Sequence, residues 1–171
     1  KETFAYKEGQ YITIKKELAG EELRRSYSIC SAPHEQSIKV AIKKVGGGKF
    51  STYAVEEMTE NDELDLMPPA GKFSSRMAQV SNPHYLAIAA GSGITPILSI
   101  IKHILFTQSN SHVTLLYGNQ HRGSIIFFEA LEALKNTYMN RLTLIHVLSR
   151  EKTDAEIFHG RIDAAKLEEL Q

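Results

Sequence analysis

Three short stretches of this sequence carry residues able to seat a phosphate or a flat ring. The first is Gly91-Ser92-Gly93-Ile94-Thr95-Pro96. Gly91 permits a sharp turn, and Gly93 lets a phosphate approach the backbone. Thr95 is placed to cap a following helix. Pro96 suits a first helical turn, where no amide donor is required. Such a helix start offers free N–H groups and partial positive charge to a pyrophosphate. Pro96 occupies the place of the third glycine in a GxGxxG fingerprint, so the segment is not that motif. Its plainer reading is a glycine turn before a capped helix. The second stretch is Arg25-Ser26-Tyr27-Ser28. On a strand, Arg25 and Tyr27 point the same way, roughly 6.6–7 Å apart. A guanidinium pairs bidentately with phosphate while a phenol ring stacks on a flat heterocycle, and Ser28 adds a hydroxyl for a ring nitrogen. The plainer reading is a half-exposed barrel strand. The third is Gly46-Gly47-Gly48-Lys49-Phe50-Ser51-Thr52, a glycine loop entering a hydroxyl-capped helix. It is either a second phosphate seat or an ordinary capped turn.

The elements that must hold these residues fall into two patterns. Gln10–Leu18, Arg24–Cys30, Ser37–Val45 and Glu63–Met67 read as short strands, the last stopped by Pro68–Pro69. Ser37–Val45 alternates, with Ile38, Val40 and Ile42 on one face and Lys39, Ala41 and Lys43 on the other. Phe50–Met58 predicts a short helix entered through Ser51 or Thr52. Strands at this spacing predict a small antiparallel barrel. From His84 the period changes. His84–Ala90 is a continuous apolar run, expected of a strand buried on both faces. Ile94–Gln108 is helical, with Ile97, Ile100, Ile101, Ile104 and Leu105 on one stripe. His112–Tyr117 and Arg141–Leu148 read as further strands. A helix within Ser124–Tyr138 turns Leu131 and Leu134 inward, and Asp163–Leu170 reads as a short helix. Alternating β and α segments predict a parallel sheet. The boundary is expected in the polar stretch Phe73–Pro83, dividing the chain into residues 1–76 and 83–171.

Composition narrows the function classes. The chain has 171 residues, 42% hydrophobic and 23% charged, which suits a globular protein of one domain or two small ones. Lys plus Arg and Asp plus Glu are 20 each. A net charge of zero gives no general field for nucleic acid or an anionic membrane. One cysteine, Cys30, excludes an intrachain disulfide and a four-thiolate iron–sulfur cluster within these residues. The polar start Lys1–Gln10 is no signal peptide, and no apolar run reaches ~18 residues. The expectation is a soluble, cytoplasmic protein. The seven histidines show no metal-ligand spacing, so no metal site is expected. Cys30 reads as a packed residue. Lys39, Lys43, Lys44 and Lys49 read as a solvated face, or as a dock for an acidic partner or adenosine phosphates.

Taken together and in order, these motifs resemble the ferredoxin–NADP reductase superfamily of flavoproteins. RSYS is similar to its RxYS flavin motif, GKFS to its GxxS pyrophosphate motif and GSGITP to its nicotinamide-nucleotide loop. Phe4–Tyr11 is similar to the strand that opens its flavin barrel. The wording RSYSICSAP, KVGGGKFSTY, LMPPAGKF and LSRE…GRID is most similar to reductases serving oxygenases of phenylacetate and related aromatic degradation. The resemblance implies an antiparallel Greek-key β-barrel binding FAD, followed by a three-layer α/β parallel-sheet domain binding NADP(H). It implies that Arg25 holds FAD pyrophosphate, Tyr27 stacks on the isoalloxazine and Ser28 approaches flavin N5, the last two as the catalytic residues. Val40, Ala41 and Ile42 would lie along the FAD, with Gly48, Ser51 and Thr52 on its pyrophosphate. Gly91, Gly93, Thr95 and Pro96 would receive the nicotinamide nucleotide. The resemblance further implies truncation at both ends. Barrel strands would precede Lys1, and more nucleotide-domain strands and a [2Fe-2S] domain would follow Gln171. The expected partners are NADPH, that iron–sulfur domain and di-iron oxygenase subunits.

The choice of nucleotide turns on the strand ends. An NAD site places an acid about 20 residues past the glycine loop. Here the second strand ends Tyr117-Gly118-Asn119-Gln120, without one. Ser149-Arg150 follows the third strand, and Arg161 comes soon after. In the resembled family a Ser-Arg pair at this place holds the 2′-phosphate, and a hydroxyl with a guanidinium suits a phosphate dianion. NADPH is therefore expected over NADH. The alternative makes Arg150 and Arg161 surface charges paired with Glu151 or Asp163. Two functions remain in view: an FAD-containing NADPH reductase, or a non-catalytic nucleotide-binding or regulatory module on the same scaffold. Only the reductase needs the RSYS strand.

Overall fold

Tyr11–Leu18 (β1) and Glu21–Ser28 (β2) pair as an antiparallel hairpin in a computed structural model that describes residues 4–35, 37–74 and 81–170. The turn residues Ala19 and Gly20 both take positive φ, 52° and 77°. A two-residue turn of this hand matches the twist of the strands it joins. It lets β2 start at Glu21, ahead of the expected Arg24. Lys49–Glu56 forms α1, and Asp65–Ala70 (β3) pairs on the other side of β1, giving the order β2-β1-β3. β3 does not stop at Pro68–Pro69 but runs through both. Tyr11 faces Ala70 and Thr13 faces Met67, so the two prolines sit in the register shift between those pairs. An edge strand tolerates proline there, because its N–H is not needed by the ladder.

Ser37–Val45 is not a strand. It meets the ladder only through the Ile29–Val40 bridge and the Cys30 N–H, which donates to Lys39 O at 2.8 Å. The face assignment of its side chains holds in part. Val40 and Ile42 pack on a small core of Ile14, Leu23 and Phe50, while Lys39 and Lys43 are exposed. Alternation selects which side chains are buried; it does not supply a hydrogen-bonded neighbour. α1 starts one residue before the expected Phe50. Its cap position is Gly48, and Ser51 sits inside the first turn.

The second half is a parallel sheet, β4 (His84–Ala90), β5 (His112–Asn119) and β6 (Leu142–Leu148), in that order. Helices α2 (Ile94–Thr107) and α3 (Phe128–Thr137) connect the strands. A short α4 (Ala164–Glu169) is capped by the Asp163 carboxylate, which accepts the Lys166 N–H at 2.9 Å. The whole predicted stripe of α2 is buried, together with Ile94, Leu98 and Ser99. Burying each large apolar side chain is worth about 1.5–3 kcal/mol. β4 departs from its expected burial on both faces. It is a sheet edge, and Leu86 and Ile88 are 56% and 44% exposed on the face turned from α2. The expected domain boundary falls partly on residues 75–80, outside those described. Among the described residues no helix is long and apolar enough to cross a membrane.

Candidate functional site

The carboxyl ends of β4, β5 and β6 open into a cleft of about 1170 Å³. Ligands bind at this end of an open α/β sheet, because the loops and helix starts converge there. After β4 the chain makes a 3₁₀ turn, Gly91–Gly93, and enters α2 at Ile94. Gly91 takes φ +49°, which only a residue without Cβ adopts at no cost. Thr95 does not cap the helix. The cap position is Gly93, without a side-chain bond, and Thr95 Oγ1 donates back to Ser92 O at 3.0 Å. Pro96, third in the helix, removes a donor that has no intrahelical acceptor. The turn is tied to the middle strand by Tyr117, whose hydroxyl donates to Gly91 O at 2.9 Å.

The cleft's charge is one-sided. Among the described residues its lining holds Lys43, Arg150 and Arg161 and no Asp or Glu. Ser149 and Arg150 stand at the mouth because their backbone continues the sheet. The Ser149 N–H donates to Asn119 O at 2.9 Å and the Arg150 N–H to Gln120 O at 2.8 Å. Arg161 is brought there by the Leu148–His159 bridge and by the Gly160 N–H on Leu148 O. The acids that could have neutralised the two arginines are engaged elsewhere. Glu151 accepts the Arg122 N–H at 2.6 Å, and Asp163 caps α4. Asn119 also lines the cleft. It is 9% exposed, and its Nδ2 has no hydrogen-bond partner among the described residues. Cationic side chains at a helix start and an unsatisfied amide fit a phosphorylated nucleotide.

The barrel-side residues lie on the neighbouring sheet. Arg25 pairs with Ile14 and Tyr27 with Ile12, which puts both on the face that carries the small core. Tyr27 is half-buried against Phe50, with ring centroids 5.9 Å apart. Burial raises its phenol pKa, and the Arg25 guanidinium pulls it back. Arg25 is exposed and spends one N–H on Arg24 O at 2.8 Å. Ser28 ends β2 opposite Tyr11. Ser51 is buried; its Oγ donates to Gly48 O at 3.2 Å and accepts the Val45 N–H at 3.1 Å. The Thr52 N–H also donates to Gly48 O. An exposed guanidinium beside an aromatic ring on one strand face fits a flavin nucleotide.

Of the residues singled out from sequence, the structure brings Ala41, Ile42, Gly91, Thr95, Ser149, Arg150 and Arg161 to one cleft. Gly93 closes the turn and Pro96 lies in the first turn of α2, and neither lines the cleft. Arg25, Tyr27, Ser28, Val40, Gly48, Ser51 and Thr52 stand outside the lining. Of these, Tyr27 and Val40 pack on the same small core as Ile42, which lines the cleft. Sequence reasoning passed over Ser92, Asn119 and the loop Gln120–Ser124 as site residues. Their position at or just past the carboxyl ends of the first two parallel strands was the available signal.

A two-sheet molecule with a cationic cleft at the parallel strand ends matches two family models. The oxidoreductase FAD-binding domain matches residues 1–75, and the oxidoreductase NAD-binding domain matches residues 87–171. The chain belongs to the ferredoxin–NADP reductase family. Among curated proteins it is 44% identical to one of the subunits of the 1,2-phenylacetyl-CoA epoxidase of Escherichia coli (strain K12), over 99% of this chain and 48% of that one. It is 36% identical to the ferredoxin reductase component of 3-ketosteroid-9-alpha-monooxygenase of Rhodococcus rhodochrous, over 86% of this chain and 42% of that one. The chain thus spans about half the length of the curated relatives it matches. The flavohem-like FAD/NAD-binding domain of nitric oxide dioxygenase from Vibrio cholerae superposes with a TM-score of 0.81 at 26% identity, covering 95% of this chain and 69% of that one. The expected architecture, a barrel-like antiparallel half joined to a parallel α/β half, is the family's fold.

Proposed function

We propose that this chain is the cofactor-binding part of a reductase that takes electrons from NADPH through FAD to an iron–sulfur centre serving a di-iron oxygenase. The observation that carries the nucleotide assignment is the acid-free cleft lined by Lys43, Arg150 and Arg161. A 2′-hydroxyl needs an acidic acceptor, whereas a 2′-phosphate needs cations. In this reading Ser149, Arg150 and Arg161 hold the 2′-phosphate. The turn Gly91–Gly93, with Thr95 and Pro96 opening α2, seats the pyrophosphate. Arg25 takes the FAD pyrophosphate with Gly48, Ser51 and Thr52, and Val40, Ala41 and Ile42 line its length. Tyr27 stacks on the flavin ring, and Ser28 turns its hydroxyl toward N5. Residues 1–76 form the FAD unit and residues 83–171 the NADP unit.

When bound, FAD supplies the chemistry of accepting a hydride and releasing electrons singly. The chain's own part is to stack the two rings with reacting atoms about 3–3.5 Å apart and to keep water out. No strong general base is needed. The names of the two curated relatives, an epoxidase component and a ferredoxin reductase component, support an oxygenase as the final acceptor and phenylacetate or related aromatic degradation as the setting. Purified protein is expected to be yellow and to bleach anaerobically on adding NADPH. Protein that stays colourless after incubation with FAD overturns the reductase reading in favour of a nucleotide-binding module.

A further inference from the structure

α2 faces two ways. One side packs on the parallel sheet; the other carries Ser99 and Lys102 against the segment that continues β2. Ser99 is fully buried, and its Oγ donates to Ser31 O at 2.6 Å. Lys102 Nζ pairs with Glu35 at 3.1 Å, in a half-buried ion pair. Both partners are fixed in turn. Glu35 also accepts the Ala32 N–H. Ser31 Oγ accepts the Lys39 N–H at 2.9 Å and bonds the Tyr6 hydroxyl at 2.9 Å. Burial raises the Glu35 carboxyl, but the Ala32 N–H and the Lys102 ammonium outweigh it and hold the group below its ordinary value. A charged, hydrogen-bonded carboxylate is therefore the resting state at neutral pH.

The position of this cluster gives it a use. Ser99 lies four residues into α2 from Thr95, about 6 Å along the helix axis. Ser31 lies three residues past Ser28, at most about 10 Å of extended chain. The nucleotide turn and the RSYS strand are thus joined through a short, stiff path that the intervening sequence does not provide. We propose that Ser99 and Lys102, acting on Ser31 and Glu35, are positioning residues that fix the nucleotide turn relative to β2 and so set the spacing of the nicotinamide and flavin rings. This inference rests on the reductase reading above, because only two stacked cofactors need that spacing held.

The test uses Lys102→Met, which keeps the apolar stem, and Lys102→Arg, which keeps a cation facing Glu35. In the cofactor-free chain, Lys102→Met is expected to speed amide exchange in residues 30–35 and 95–102 together. In the FAD-loaded protein it is expected to slow flavin reduction at saturating NADPH by about tenfold, as a sub-ångström misplacement does. The Kd for NADPH should stay within about twofold, since no cleft residue is touched. Lys102→Arg should hold both readouts close to wild type. Unchanged exchange overturns the latch. Faster exchange with an unchanged reduction rate overturns its positioning role, as does a Lys102→Arg variant that moves both readouts as far as Lys102→Met. Wild-type protein that takes up no FAD overturns the reductase reading and the positioning role with it, while the exchange measurement still decides the latch.

Discussion

Replacing Tyr117 with Phe removes one hydroxyl at the base of the nucleotide turn. Tyr117 is fully buried in the main core, so a Phe ring keeps every packing contact there. What disappears is the O–H that donates to Gly91 O at 2.9 Å. Burial raises the phenol's pKa, and the Asn119 side chain and Ile126 backbone pull it back only partly, so the group is a donor through neutral pH. Removing one partner of a buried hydrogen bond costs about 1–3 kcal/mol. Gly91 is half-buried and water reaches its turn, which puts the loss near 1 kcal/mol. For a chain of this size that lowers Tm by about 2–4 °C. The same loss frees the one turn that holds a φ of +49° at the mouth of the cleft. Affinity for NADP⁺ should then fall about fivefold, the equivalent of roughly 1 kcal/mol. Thermal unfolding and calorimetric titration measure the two effects on the same sample. A variant with unaltered Tm and unaltered NADP⁺ affinity refutes the claim that Tyr117 holds the turn.

Other perturbations probe different parts of the molecule. Arg150→Ala should raise KM for NADPH about tenfold and leave KM for NADH within about twofold, because an exposed charged hydrogen bond is worth roughly 1.5 kcal/mol; equal changes in steady-state kinetics remove the 2′-phosphate assignment. His146 has no hydrogen-bond partner on either ring nitrogen among the described residues, and burial holds its pKa below the ordinary 6.5, with Glu132 opposing and Arg122 adding to the shift. It is neutral in the folded chain, so the unfolded chain takes up the extra proton as pH falls below 6.5. Stability is full above that value and is lost as pH drops toward the folded pKa; His146→Leu should flatten the fall in Tm between about pH 7.5 and 5.5. Ala19→Gly should raise the urea midpoint by the equivalent of up to about 1 kcal/mol, since Ala19 sits at φ 52° and only Gly takes that conformation freely.

The parallel half was legible almost to the residue because each element there answers to one local rule. The α2 stripe has helical period and a sheet to bury it, so all five predicted residues are in the core. The barrel half was less legible because its hydrogen bonding is decided by neighbours far along the chain. Ser37–Val45 alternates as well as β1 does, yet β1 lies between two partners and Ser37–Val45 has one bridge. Pro68–Pro69 looked like a stop because proline cannot donate to a ladder. The register shift opposite Tyr11–Thr13 places both where no donation is asked of them. The candidate site follows the same division. Arg150, Arg161 and Gly91 were readable because each is tied to a strand end, and strand ends are visible in sequence. Asn119 and Tyr117 were read as the tail of a strand. Their part in the site comes from what lies across the sheet, an open cleft for one and the Gly91 carbonyl for the other. The Ser99–Ser31 contact joins residues 68 positions apart, and no period or motif announces it. A chain that must hold two cofactors in register has to encode that register in such distant contacts, since the local motifs specify only what each half binds.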